Sequence, residues 1–187
     1  MKITVLGAGA MGSLFSGYLS RKNDVTVVDV SETVVNAIKA AGERIKEKDG
    51  NVACLRLTAV TDASSCGIQD LIIVFVKSMF TIQALENNRS LIGKDTYIMT
   101  LQNGAGHESK LLKFADRKHV IIGSTQHNSS VIEPGFVYHG GSGVSSIGLL
   151  DGNSDQGTGF MPREAVCHRG TEGVQLSQHT NLCGDKE

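Results

Sequence analysis

The chain has 187 residues, of which 18 are Lys or Arg and 19 are Asp or Glu, giving a formal charge of −1 at pH 7. That balance excludes the polycationic footprint of a nucleic-acid or polyanion binder, and no apolar run reaches the ~18–20 residues that cross a bilayer. Cys54, Cys66, Cys167 and Cys183 lack CxxC or other metal-ligand spacing, and a glycine loop begins at residue 7; the expectation is a cytoplasmic protein with reduced thiols, no metal and no signal peptide.

Residues 2–6 read as a short apolar strand running straight into glycines. Over residues 11–21, Met11, Leu14, Phe15, Tyr18 and Leu19 recur at helical period, which predicts a helix. A β-branched strand follows at 25–30, and Ser31 with Glu32 opens a second helix through about Ala41,. Between Ile45 and Leu57, Asp49-Gly50 separates two candidate strands, a hairpin signal,. Residues 71–76 are continuously apolar, as in a strand buried on both faces. A helix is predicted over 81–91, a strand at 96–101, a short helix over 106–114 and a strand at 119–124. Strand-like pieces at 129–132, 136–139 and 145–150 are bounded by Pro134-Gly135 and Gly140-Gly141. Alternation of this kind predicts an α/β fold: a Rossmann-type, doubly wound, mostly parallel sheet with helices on both faces.

Composition changes near Asp151-Gly152-Asn153-Ser154. Of the first 150 residues 66 are apolar, against nine of the last 37, which follow neither strand nor helix period. Such a segment cannot bury enough apolar surface to offset about 1–2 kcal/mol per residue of backbone ordering. Residues 1–150 are therefore expected to form one domain, and 151–187 a short, irregular, disordered tail.

Gly7-Ala8-Gly9-Ala10-Met11-Gly12 fits G-x-G-x-x-G and lies directly between a strand and a helix, the context dinucleotide binding requires,. In that setting Gly7 permits the tight turn, Gly9 admits a pyrophosphate to the backbone, and Gly12 lets the helix approach the strand, aiming its N-terminal amides at the phosphates. Asp29 ends the second strand, about 20 residues beyond the loop, where a carboxylate accepts from the adenosine ribose hydroxyls and favours NAD over NADP. Arg21 and Lys22 end the first helix nearby.

Three further clusters follow predicted strands, where open α/β sheets bind ligands. Lys77 delivers an ammonium to the sheet edge after strand 71–76. Asn103, in Leu101-Gln102-Asn103-Gly104-Ala105-Gly106, offers an amide to a nicotinamide and to a substrate carbonyl or hydroxyl. His127, after strand 119–124, is a candidate proton relay or pocket-wall donor, with a structural histidine as the alternative. Glu108, just inside a helix start, is read as compensating the helix dipole.

Residues 1–150 resemble the N-terminal domain of the ketopantoate reductase (2-dehydropantoate 2-reductase) family. The resemblance is carried by the opening through Gly12, by Val76-Lys77, by Leu101–Gly106, by Gly123-Ser124-Thr125-Gln126-His127, and by the run from Pro134-Gly135 through His139-Gly140-Gly141-Ser142-Gly143 to Ile147-Gly148. It implies hydride transfer from NADPH or NADH to the ketone of 2-dehydropantoate, giving pantoate for coenzyme A synthesis. It also implies pyrophosphate binding along Gly7, Ala8, Gly9, Ala10, Met11 and Gly12, with Lys77 and Asn103 at the cofactor and in the catalytic cleft. The sequence departs from the family in three places. Family members commonly use NADPH with a basic residue just after the second strand, which Asp29-Val30-Ser31 does not supply, and Phe80 stands where a glutamine is frequent. Residues 151–187, with Arg163, Arg169 and Lys186 on no helical apolar face, do not resemble the start of the family's helical second domain, which carries its proton-donor lysine. The expectation is a truncated ketopantoate reductase, acting on a small 2-keto acid, that keeps dinucleotide binding and has impaired turnover. The alternatives are a non-catalytic dinucleotide-binding module and a reductase of another 2-keto acid. The surface meant for a second domain would favour self-association.

Overall fold

A computed structural model of the chain describes residues 1–151. The expected tail, with Cys167, Cys183, Arg163, Arg169 and Lys186, lies outside the described residues. In chain order the elements are β1 Lys2–Leu6, α1 Ala10–Ser20, β2 Asp24–Val28, α2 Glu32–Ala41, β3 Glu43–Glu47, β4 Val52–Leu55, β5 Thr58–Val60 and β6 Leu71–Val74. They continue with α3 Thr81–Asn87, β7 Tyr97–Thr100, α4 His107–Leu111, β8 Val120–Thr125, β9 Asn128–Glu133, β10 Phe136–Gly141 and β11 Ser145–Leu149.

Seven strands form one sheet in the order β11-β8-β7-β6-β1-β2-β5. All its pairings are parallel except β11 with β8. From β1 the chain winds outward through β2 to β5, then crosses back to β6 on the other side of β1 and proceeds to β7 and β8. The C-terminal ends of β1 and β6 thus flank the topological switch point, where connecting loops diverge and open a crevice. The run at 71–74 is apolar throughout because Leu71 and Ile73 enter the core layer shared with Phe15, Val35 and Ile38, while Ile72 and Val74 enter the opposite layer with Leu85 and Leu111,.

The sequence reading did not anticipate a second sheet. Four strands in the order β4-β3-β10-β9 lie across α1, joined by parallel pairing of β10 with β3 and by antiparallel hairpins on either side. The Asp49-Gly50 hairpin expected between residues 45 and 57 is present as β3–β4, with Gly50 at φ +91°. Helix α1 is therefore clasped between two sheets. Its residues Gly12 to Gly17 are all buried, the mark of a helix covered all round rather than on one stripe. Small residues make this possible: a Cβ on Gly12 would lie 1.8 Å from the Gly7 carbonyl oxygen, and one on Gly17 would lie 2.7 Å from Ile45 Cδ1. Leu14, Ile45 and Val137 fill the interface with the second sheet.

Other departures are local. The helix expected over 81–91 ends at Asn87 and passes through Asn88 into a 3₁₀ turn at Arg89–Leu91. The one expected over 106–114 spans only His107–Leu111. Edge strand β5 has three residues, too few for a readable alternation.

Candidate functional site

The C-terminal edge of the seven-stranded sheet collects the sequence candidates. The glycine loop follows β1, Asp29 follows β2, Lys77 lies just beyond β6, Asn103 just beyond β7, and His127 just beyond β8. Placement about the switch point divides them. The glycine loop and Asp29 lie toward the β2 side, and Lys77, Asn103 and His127 toward the β6–β8 side.

The glycine loop is built from three different constraints. Gly7 sits at φ +99° and donates its N–H to Val28 O at 2.8 Å, so the chain turns sharply while still tied to β2,. Gly12 approaches the Gly7 carbonyl too closely for any side chain. Gly9 is the opposite case, because a Cβ there would meet none of the described residues within 4 Å. Open space therefore faces the backbone at the N-cap of α1. Among the described residues no side chain caps this helix, and no acidic residue occupies its first turn. The opening amides of a helix have no intrahelical acceptors and carry the positive end of its dipole, so the loop fits an anion such as a pyrophosphate.

Asp29 is committed to this loop. Its Oδ2 accepts the Ala8 N–H at 2.7 Å and its Oδ1 accepts the Ser31 N–H at 2.9 Å. That bond engages the Ala8 amide and leaves those of Gly9, Ala10 and Met11 at the helix start. Each carboxylate oxygen keeps a further lone pair for a ligand hydroxyl. Arg21 stacks its guanidinium over the Tyr18 ring at 5.0 Å.

On the other side of the switch point, Lys77 and Asn103 are both exposed. Lys77 precedes a 3₁₀ turn at Ser78–Phe80, and Lys110 Nζ donates to Ser78 O at 2.8 Å. Phe80 is 46% exposed. The Asn103 backbone carbonyl meets His107 Nε2 at 3.0 Å, and its side-chain amide bonds no other described residue. Glu108 lies in the first turn of α4 and is exposed. Between these groups Gln102 is half-buried, with its amide bonded to Thr81, Thr100 and the Val76 carbonyl.

His127 is buried, and the structure joins it to three residues that the sequence reading did not single out for function. Its Nδ1 lies 3.0 Å from His139 Nε2, and His139 Nδ1 lies 2.9 Å from Glu47 Oε2. Tyr18 Oη is 3.0 Å from His139 Nδ1 and donates to Glu47 Oε1. Where both rings are neutral, their partners assign the tautomers. His139 donates from Nδ1 to the carboxylate, so its Nε2 is bare and accepts from His127 Nδ1–H. His127 Nε2 then carries a lone pair that is buried without a partner among the described residues. Burial holds the His127 pKa below its ordinary value, reinforced by His139 and opposed by Glu47. Burial and the Glu47 carboxylate raise that of Tyr18. One signal was available in sequence: strict alternation along β10 places His139 on the buried face with Val137. Glu43 is the other buried surprise. It is 0% exposed, and among the described residues neither oxygen has a partner at full hydrogen-bond geometry; desolvation lifts it from an ordinary 4.5 to about 7, against weaker lowering by the Ser13 hydroxyl facing it and by the Arg44 charge.

Among the described residues, no helix is long and apolar enough to cross a membrane, and no cluster of His, Cys, Asp and Glu could hold a metal ion.

Comparison with known proteins matches this architecture throughout its length. The family model described as ketopantoate reductase PanE/ApbA covers residues 3–152. A 2-dehydropantoate 2-reductase of Pyrococcus abyssi is 37% identical over 150 residues, 80% of this chain and 48% of that protein. One from Halobacterium salinarum is 32% identical over 157 residues, 83% of this chain and 51% of the relative. Among solved structures, D-mandelate dehydrogenase in a ternary structure with NADH and anilino(oxo)acetate superposes with a TM-score of 0.77 at 34% identity, covering 85% of this chain and 51% of that one. A probable 2-dehydropantoate 2-reductase from Bacillus subtilis gives 0.74 at 28% identity, over 86% of this chain and 54% of that one. The chain thus spans about half the length of the curated relatives it matches. With strand order, glycine loop and family match in agreement, the chain belongs to the ketopantoate reductase PanE/ApbA family.

Proposed function

We propose that residues 1–150 are the dinucleotide-binding half of an NAD(P)H-dependent reductase acting on a small 2-keto acid, with 2-dehydropantoate as the substrate and pantoate as the product. The observation that carries the reading is the uncapped start of α1 behind open space at Gly9, beside the switch point of the parallel sheet,. The amides of Gly9, Ala10 and Met11 hold the pyrophosphate, and the free lone pairs of Asp29 receive the adenosine ribose hydroxyls. A carboxylate at that position repels an additional 2′-phosphate, so NADH is the preferred form. On the nicotinamide side, Asn103 orients the carboxamide and the substrate carbonyl, and Lys77 places positive charge where oxygen charge develops. A bound nicotinamide supplies the hydride; the residues on this half bind, orient and neutralise.

A second substrate reading rests on the 34% identity to D-mandelate dehydrogenase: the keto acid is aromatic, and the product a D-2-hydroxy acid. A third, in which the chain binds a dinucleotide without turnover, rests on its spanning about half the length of the curated relatives. One set of measurements separates the three. The 187-residue chain is titrated calorimetrically with NADH and NADPH, then assayed for NAD(P)H oxidation with 2-dehydropantoate and with the keto acid corresponding to mandelate. Turnover with one acid assigns the substrate, and binding without turnover assigns the module. Failure to bind either dinucleotide refutes all three readings.

A further inference from the structure

Gln102 holds a position in the site that its neighbours do not share. Its Nε2 donates to the carbonyl of Val76. Its Oε1 accepts from the hydroxyl of Thr81 at 3.1 Å and from that of Thr100 at 3.0 Å, and its backbone N–H donates to Thr100 Oγ1 at 3.2 Å. Val76 and Thr81 bracket residues 77–80, all of them exposed. One amide therefore fastens both ends of the segment that carries Lys77, while its own backbone continues directly into Asn103. Thr81 and Thr100 are 0% and 1% exposed, so the anchor points lie in the core and cannot follow a loose loop. Within the segment, Lys110 also ties the Ser78 carbonyl, and the Phe80 N–H bonds the Lys77 carbonyl at 2.8 Å.

The chemistry demands this residue type. The Val76 carbonyl can only accept, which requires a donor at one end of the side chain. At the other end the Thr81 and Thr100 hydroxyls lie in donor geometry to Oε1, with the Val74 carbonyl a second, longer acceptor for Thr100 at 3.5 Å,. A primary amide serves both ends. A glutamate would set a carboxylate oxygen against the Val76 carbonyl, and a leucine would leave buried polar atoms without partners.

We infer that Gln102 is a positioning residue for the nicotinamide half of the site, fixing Lys77 relative to Asn103. The inference rests on the dinucleotide reading above. Two groups that act on one ligand from separate loops lose their effect when their spacing relaxes by even an ångström or so, and this single side chain is the direct link between the two loops.

The test compares binding of NADH and of ADP-ribose, which has the pyrophosphate and adenosine but no nicotinamide. The 187-residue chain, Gln102→Leu, Gln102→Glu, Thr81→Val and Thr81→Ser are titrated calorimetrically, with thermal unfolding and reduced-nicotinamide fluorescence recorded alongside. Gln102→Leu and Gln102→Glu are expected to weaken NADH about tenfold or more and to diminish the change in nicotinamide emission, with ADP-ribose affinity held within about twofold. Thr81→Val should fall between them and the parent, and Thr81→Ser, which restores the hydroxyl, should match the parent. Unchanged NADH binding in the Gln102 variants overturns the inference, and so does equal loss of both ligands, which would mark a general loosening. If the Gln102 variants do not fold, the Thr81 pair decides by the same comparison. A parent chain that binds ADP-ribose as tightly as NADH overturns the inference while leaving dinucleotide binding intact. A parent chain that binds neither refutes the dinucleotide reading itself.

Discussion

The ionisation of Glu43 should govern how the stability of this domain depends on pH. The side chain begins β3 and packs beneath α1, 0% exposed, with neither oxygen at full hydrogen-bond geometry to a partner among the described residues. Desolvation raises its pKa from 4.5 to about 7. The folded state therefore holds this proton more tightly than the unfolded chain. Below about pH 4.5 both states are protonated and the group has no effect on the balance. As pH rises toward 7 the unfolded chain releases the proton first, so stability falls; above 7 both states are ionised and the loss is complete. Each pKa unit corresponds to about 1.4 kcal/mol, which makes the total loss about 3 kcal/mol, or about 6–12 °C in Tm for a domain of this size. Glu43→Gln removes the ionisation with little change in volume, and because every other titrating group is common to both proteins, the difference between them isolates this carboxyl. Urea unfolding of parent and variant at intervals from pH 4.5 to 8.5 should show the variant gaining about 3 kcal/mol relative to the parent across that range. A difference that stays constant with pH, or grows toward acid, would refute the reasoning.

The glycine loop predicts a contrast between neighbours. Gly12→Ala, whose Cβ would lie 1.8 Å from a backbone oxygen, should cost about 2 kcal/mol or more, whereas Gly9→Ala should leave Tm unchanged and weaken NADH binding in calorimetry. NADH should bind about tenfold tighter than NADPH, and Asp29→Ser should narrow that gap; because Asp29 accepts from Ala8 and Ser31, the substitution should also lower stability by about 1–2 kcal/mol. Lys77→Ala, at an exposed position, should change stability by less than about 0.5 kcal/mol while reducing affinity for NADH. Nitrogen-15 NMR should find His127 as the Nδ1–H tautomer, neutral down to a pH below the ordinary histidine value as its lowered pKa requires, and Glu47→Gln should redistribute the protons of both rings.

Several of the proposed ligand groups were legible because the physics that selects them is local. A six-residue glycine pattern between a strand and a helix specifies its own turn. Asp29, Lys77 and Asn103 could be placed at one sheet edge because parallel strands separated by crossovers must present their C-terminal ends together. The same locality explains the errors of length: three residues of β5 and the single α-helical turn of α4 carry too few periods to read. Helix α1 illustrates the limit more sharply. Its apolar positions announced one buried face, but the small residues Gly12, Ser13, Ser16 and Gly17 were a signature of burial on the other faces too, and became interpretable only with the second sheet in place.

What the sequence alone determined was the alternation of strands and helices, the strand–glycine–helix turn and, from motifs spread over the first 150 residues, the family to which they belong. Only the tertiary structure decided how the site is held. Gln102 reaches a carbonyl 26 residues away, Asp29 an amide 21 residues away, and Tyr18 a histidine 121 residues away. Such partners are chosen by which side chains the tertiary fold brings together, and where it buries them a polar atom must find a complement or shift its pKa, as Glu43 does,. Periodicity in a sequence reports which face of an element is buried; it does not report what lies opposite.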